Sequence, residues 1–208
     1  MPGLLPCGPD AVLLEPADPA QLPGLTDALT GGAVTGVVEV VPAARTLLVR
    51  FGSGQALVAG RAALEHLLTT VPAAIPAPDP ARLVEIEVSY DGPDLAEVGR
   101  LTGLGSAGVV AAHTATPWRV AFGGFAPGFA YLTGGDPRLR VPRRAEPRPS
   151  VPAGSVGLAG EFSGIYPRSS PGGWQLIGRT GAALWDATRE PPALLAPGRW
   201  VRFVAVTP

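Results

Sequence analysis

Seven arginines fall between residues 136 and 180, at positions 138, 140, 143, 144, 148, 168 and 179, against three acids, Asp136, Glu146 and Glu161. That segment carries a net charge of +4 and the remainder of the chain −5. A guanidinium presents a planar fork of donors that matches the oxygens of carboxylate or phosphate in pairs. The same stretch is punctuated by Val151-Pro-Ala-Gly-Ser-Val-Gly157 and Ser170-Pro-Gly-Gly-Trp174. Proline fixes its own backbone angle and glycine reaches angles closed to other residues, so these runs read as tight, ordered loops. Arginines carried on such loops predict a small anionic ligand. A solvated basic face, or ion pairs with the acidic remainder of the chain, is the alternative.

Other residues invite chemistry more weakly. Ala153-Gly-Ser-Val-Gly157 resembles a nucleophile elbow around Ser155. An elbow needs a helix after the serine and a later histidine base. Here Leu158-Ala-Gly160 is a poor helix start, and both histidines, His66 and His113, lie upstream, so Ser155 reads as a turn residue. His113 ends a short helical stretch just before a strand. A helix C-terminus favours a cationic imidazole, which makes His113 a candidate acid or base, with a structural cap as the alternative. His66 reads as a packing or surface residue of a helix. Gly103-Leu-Gly-Ser-Ala-Gly108 fits G-x-G-x-x-G, but a helix-like segment precedes it and no βαβ unit surrounds it, so it reads as a turn between helices. Trp174 either floors a pocket or plugs the end of a barrel. With one cysteine and two distant histidines, no metal site is expected.

Composition narrows the field. All 16 basic residues are arginine, which removes a Walker A lysine, a Schiff base, a Ser-Lys pair and a biotinyl-lysine. A net charge of −1 gives no bulk attraction for nucleic acid or membrane. The single Cys7 precludes an internal disulfide, in keeping with a reducing cytoplasm. No apolar run approaches the roughly 18 residues needed to span a bilayer, and the first residues lack the basic start of a signal peptide.

The elements that must hold these groups follow from periodicity. Residues 10–15 read as a strand, 18–29 as a capped helix stopped by Gly31-Gly32, 34–41 and 46–51 as a hairpin, and 56–69 as an amphipathic helix. This β-α-β-β-α order predicts a small α/β domain over residues 1–71. Four prolines between residues 72 and 80 predict a semi-rigid linker over 72–81. The second domain, 82–208, opens with Leu83-Val-Glu-Ile-Glu-Val88, whose period-two alternation marks a half-buried strand. Helices are expected at 93–101 and 106–113, then many short strands from Trp118 to a last one at 199–206. Short strands with frequent turns suggest a barrel or sandwich. The fold class is therefore α+β.

The run Gly124-Phe-Ala-Pro-Gly-Phe-Ala-Tyr-Leu132, then Val141-Pro-Arg143, Val151 to Gly157, Ile165-Tyr-Pro167, Ser170 to Trp174 and Ile177-Gly-Arg-Thr180 closely resembles the allophanate hydrolase subunit 1 family. Asp10 to Glu15, Val37 to Val49 and Asp94 to His113 extend the resemblance toward full length. It implies a cyclophilin-like β-barrel for the second domain. It implies a role as the B subunit of a bacterial ATP-dependent 5-oxoprolinase, which opens 5-oxo-L-proline to glutamate, with this chain inactive alone. The expected partners are an allophanate hydrolase subunit 2-type protein (the C subunit) and the A subunit, with ATP and Mg²⁺ serving the assembled complex. The same family contains KipI-type inhibitors of a histidine kinase and components of urea or allophanate systems, which are the alternatives.

Opening a lactam through a phosphorylated carbonyl needs groups for a carboxylate and a phosphate, and donors aimed at developing charge. Arg143, Arg148 and Arg179, with the loop amides at Gly154, Ser155, Gly172 and Gly173, are of the right kind. Tyr166 and Trp174 complete the candidate set, and His113 is the candidate acid or base.

Overall fold

In the computed structural model, which describes residues 3–207, the chain forms two compact units, the first ending at Ala77 and the second starting at Pro78. The first contains β1 (Gly3–Pro6), β2 (Ala11–Glu15), α1 (Leu22–Thr30), β3 (Val37–Pro42), β4 (Leu47–Phe51) and α2 (Gly54–Thr70). Its strands form an antiparallel sheet in the order β1-β2-β4-β3. The edge strand β1 has no counterpart in the sequence expectation. Asp18 accepts a 2.9 Å bond from Ala20 N and starts a 3₁₀ turn at Pro19–Gln21 that leads into α1, so the expected helix begins tighter than α-helical. Ser53 caps α2, whose Leu64 and Leu68, one turn apart, are buried with Leu25, Val49 and Phe51.

The second unit contains β5 (Leu83–Val88), α3 (Leu95–Thr102), α4 (Gly105–Ala115), β6 (Trp118–Gly123), β7 (Ala130–Thr133), β8 (Arg148–Val151), β9 (Ser155–Ala159), β10 (Phe162–Ile165), β11 (Ser170–Gly172), β12 (Gln175–Arg179) and β13 (Trp200–Ala205). Seven strands form one sheet in the order β12-β9-β10-β7-β6-β13-β5, and β11 pairs with β8 as a separate ribbon. The two edges of the large sheet meet. Ser89, just past β5, exchanges two 2.9 Å backbone bonds with Arg179 on β12, and Asp94 N reaches Leu176 O at 2.9 Å. The sheet is thereby rolled into a nearly closed barrel, with the first and last strands of the unit, β5 and β13, pairing in parallel.

Alternation along the strands sorts the two faces. Val88, Val120, Leu132, Val156, Leu158, Ile165, Ile177 and Phe203 share one core, which Val98 of α3 and Val109 of α4 join. Tyr131, Ala159 and Leu176, their neighbours in sequence, point to the opposite face and pack with Phe129, Val151, Tyr166 and Trp174. The ribbon contributes Val151 to that second layer, so aromatic side chains lie between the barrel's outer face and β8–β11. The G-x-G-x-x-G sequence is a turn between α3 and α4, with Gly103 and Gly105 at φ values of 71° and 67°. Among the described residues no helix is long and apolar enough to cross a membrane, and no group of three or more His, Cys, Asp or Glu is placed to hold a metal ion.

Candidate functional site

Asp94, only 4% exposed, stands at the start of α3 against the barrel seam. Its Oδ2 accepts the Leu176 amide at 2.7 Å, and its Oδ1 accepts Arg144 Nη1 at 3.0 Å and Arg148 Nη2 at 2.7 Å. Burial alone would raise the pKa of this carboxyl. The Arg148 hydrogen bond, the Leu176 amide and the two guanidinium charges outweigh that and hold it below the usual carboxylate range. One buried carboxylate therefore fixes two arginines that belong to a loop and a ribbon strand. The loop is pinned a second time, because Arg144 N donates to Gly173 O at 2.8 Å. Gly172 lies opposite Arg148 on the ribbon.

Tyr166 joins this charged corner to the aromatic layer. It is 2% exposed, and its ring packs edge-on to Phe129 and Trp174, with centroids 5.4 and 6.5 Å away. Burial raises the phenol's pKa, and the Trp174 amide and the charges of Arg143 and Arg148 offset part of the rise. Gly172 presses so close to the hydroxyl that a Cβ there would stand 2.4 Å from it. The charged corner thus sets two guanidinium groups beside a buried aromatic layer.

The expected anion-binding set is thus brought only partly together. Arg148, Gly172, Gly173, Tyr166 and Trp174 share the outer face, and the exposed Arg143 acts on Tyr166. Trp174 is part of the aromatic layer rather than a plug at a barrel end. Arg179 stands apart, 66% exposed and paired with Asp91 at 2.8 Å. The amides of Gly154 and Ser155 were expected to face the ligand, but they already donate to Tyr166 O at 2.7 Å and Pro152 O at 3.3 Å, so here they hold the loop together. Ser155 opens strand β9 with no helix after it and is no nucleophile elbow.

His113 lies on the other side of the sheet wall. It is fully buried, stacked on Phe203 with centroids 4.2 Å apart, and bonded through Nδ1 to the Tyr90 hydroxyl at 2.7 Å and through Nε2 to Ser163 Oγ at 2.8 Å. Burial drives its pKa down to about 3, overriding the helix terminus that was expected to favour the cation. The ring is neutral at physiological pH, and its two nitrogens are committed to interior hydroxyls.

Sequence reasoning missed Asp94, Arg144 and Phe125. Asp94 fell inside the helix expected at 93–101, and its partners lie 50, 54 and 82 residues away. Arg144 was indistinguishable from its six neighbours in a basic stretch. Phe125 was hidden inside an apolar motif.

The comparisons with known proteins agree with this architecture. The family described as "Carboxyltransferase domain, subdomain C and D" matches residues 2–195. The protein of Bacillus subtilis (strain 168) named as the B subunit of 5-oxoprolinase is 49% identical over 129 residues, 61% of this chain and 54% of that protein. The protein of the same name from Escherichia coli O157:H7 is 51% identical over 127 residues, 60% and 58% of the two. The chain thus spans a little over half the length of these curated relatives. The crystal structure of TTHA0988 superposes with a TM-score of 0.73 at 37% identity, covering 96% of this chain and 40% of that one. Matched over nearly its whole length, the chain belongs to the family of carboxyltransferase domains, subdomains C and D.

Proposed function

We propose that this chain is the B subunit of an ATP-dependent 5-oxoprolinase, acting with the A subunit and a subunit 2-type protein (the C subunit) to open 5-oxo-L-proline to L-glutamate. The relatives named as the B subunit of 5-oxoprolinase support the assignment. The observation that carries it is the pair Arg144 and Arg148 held by the buried Asp94 beside Tyr166, with Arg143 adding charge. 5-Oxo-L-proline is a carboxylate on a small five-membered ring. Guanidinium forks suit the carboxylate, and the aromatic layer suits the ring. ATP with Mg²⁺ serves the assembled complex, where it supplies the driving force for breaking a stable lactam.

The test is reconstitution with both partner proteins, following glutamate and ADP together. The chain alone is expected to release no glutamate, and the complex to release it only with ATP. Replacing Arg143 or Arg148 by Ala should raise KM about tenfold or more, the scale of one lost charge-assisted hydrogen bond. Full complementation without 5-oxoproline turnover would remove the assignment, and unchanged kinetics in both variants would remove the anion site.

A further inference from the structure

Among the described residues, Phe125 is the one non-glycine residue at positive φ, 66°. A 2.7 Å bond from Ala126 N to Gly124 O closes a three-residue turn around it, the γ-turn hand that L-residues adopt only under strain. A second turn follows at once: Phe129 N donates to Ala126 O at 2.9 Å, with Pro127 and Gly128 (φ 83°) in the middle. The two turns fix the tip of the β6–β7 connection. Glycine would occupy position 125 without strain, and a large apolar side chain stands there instead.

That side chain is not buried. Phe125 is 58% exposed, although its ring touches the aromatic layer edge-on, 5.2 Å from Phe129 and 6.1 Å from Tyr166. The backbone strain costs stability, and two edge-on contacts that leave more than half of the residue in solvent return little of it, so packing alone does not explain the residue. Its position does. Tyr166 meets Phe125 edge-on, and its hydroxyl packs against Gly172, which lies opposite Arg148 on the ribbon. We infer that Phe125 is a specificity-determining residue, presented by a strained turn as the apolar wall against which the ring of a small cyclic carboxylate rests while the arginines hold its carboxylate. The inference rests on the functional reading above and names the part of the site that recognises the ring.

The test uses Phe125→Gly and Phe125→Leu. Glycine removes the ring and the strain together, so the melting temperature of Phe125→Gly should equal or exceed that of the wild type. In the reconstituted complex its KM for 5-oxo-L-proline should rise roughly fivefold or more with kcat little changed, the pattern of lost ground-state binding. Phe125→Leu keeps apolar surface and should fall between. A melting temperature lowered by several degrees in the glycine variant would make the ring structural and overturn the inference. So would an unchanged KM, or loss of the assembled complex on size exclusion. Saturation-transfer NMR with 5-oxo-L-proline on the complex separates the two readings. Ring-proton signals present in the wild type and lost in Phe125→Gly, in a complex that does not turn the compound over, would end the 5-oxoprolinase reading and keep the inference. Equal signals in both proteins, or none in the wild type, would end the inference.

Discussion

His113 and Asp94 show the same physics with opposite outcomes. Both are buried, and burial works against the charged form of each. Asp94 keeps its charge because two guanidinium groups and an amide converge on it. His113 meets only hydroxyls and aromatic rings, and its pKa falls to about 3. A group whose folded pKa lies below its unfolded one of about 6.5 loses stability as pH falls, because the unfolded chain takes a proton that the folded one refuses. The window opens near pH 6.5 and extends toward pH 3. Between pH 8 and pH 5, His113 should therefore remove about 2 kcal/mol of stability, at about 1.4 kcal/mol per unit below pH 6.5. Urea titrations of the wild type and His113→Phe at both pH values check this. The variant should be less stable at pH 8 by about 1–3 kcal/mol, since Tyr90 and Ser163 lose their partner. It should also show a pH dependence smaller by the amount assigned to the histidine. Identical pH dependence in the two proteins would mean that the imidazole titrates freely.

At the scale of elements, barrel closure rests on two places without side chains. A Cβ on Gly92 would stand 2.3 Å from the Ile177 carbonyl carbon, and one on Gly178 would stand 2.6 Å from Ser89 O. Backbone meets backbone there, across the seam between β12 and the segment after β5, and neither can yield as a flexible side chain would. Gly92→Ala and Gly178→Ala should each cost about 2–3 kcal/mol in chemical denaturation. Gly123→Ala on β6, where the nearest heavy atom is 3.7 Å from the added Cβ, should change stability by less than about 1 kcal/mol. Equal effects at all three positions would show that the seam is loose. The same seam marks the limit of what the sequence discloses. β5 was legible because Val84, Ile86 and Val88 alternate with polar neighbours, and α2 because its leucines recur at helical spacing. The junction of Ser89 with Arg179 joins residues far apart in sequence through main-chain atoms, which carry no residue signature. The site divides likewise: the basic stretch and Trp174 stood out by type, whereas the choice of Arg144 and Arg148 among seven arginines, the role of Asp94 and the turn at Phe125 depend on where distant backbone arrives.

For the whole molecule, each unit has its own centre. The first gathers Leu14, Leu25, Val49, Phe51 and Leu64, and the second gathers Val88, Val120, Leu132, Ile177 and Phe203 around its barrel. Among the described residues, none belongs to both clusters. Every group assigned to the anion site, from Asp94 to Trp174, lies in the second unit. The stretch where the units part, Pro76-Ala-Pro-Asp-Pro80, holds three prolines in five residues, a composition suited to an extended connection. Residues 78–208 should then fold without the rest of the chain. Expressed alone, this segment should melt in one cooperative transition, with a calorimetric enthalpy on the order of 90 kcal/mol, as expected for a domain of its size. The van't Hoff enthalpy should agree with the calorimetric value. A broad transition, or a van't Hoff enthalpy well below the calorimetric one, would show that the barrel needs the first unit to fold. If the fragment folds as expected, the pH dependence assigned to His113 and the seam effects of Gly92 and Gly178 must appear in it at full size, because Tyr90 and Ser163, which bond His113, and the backbone that faces the two glycines, at residues 89 and 176–178, all lie beyond Pro78.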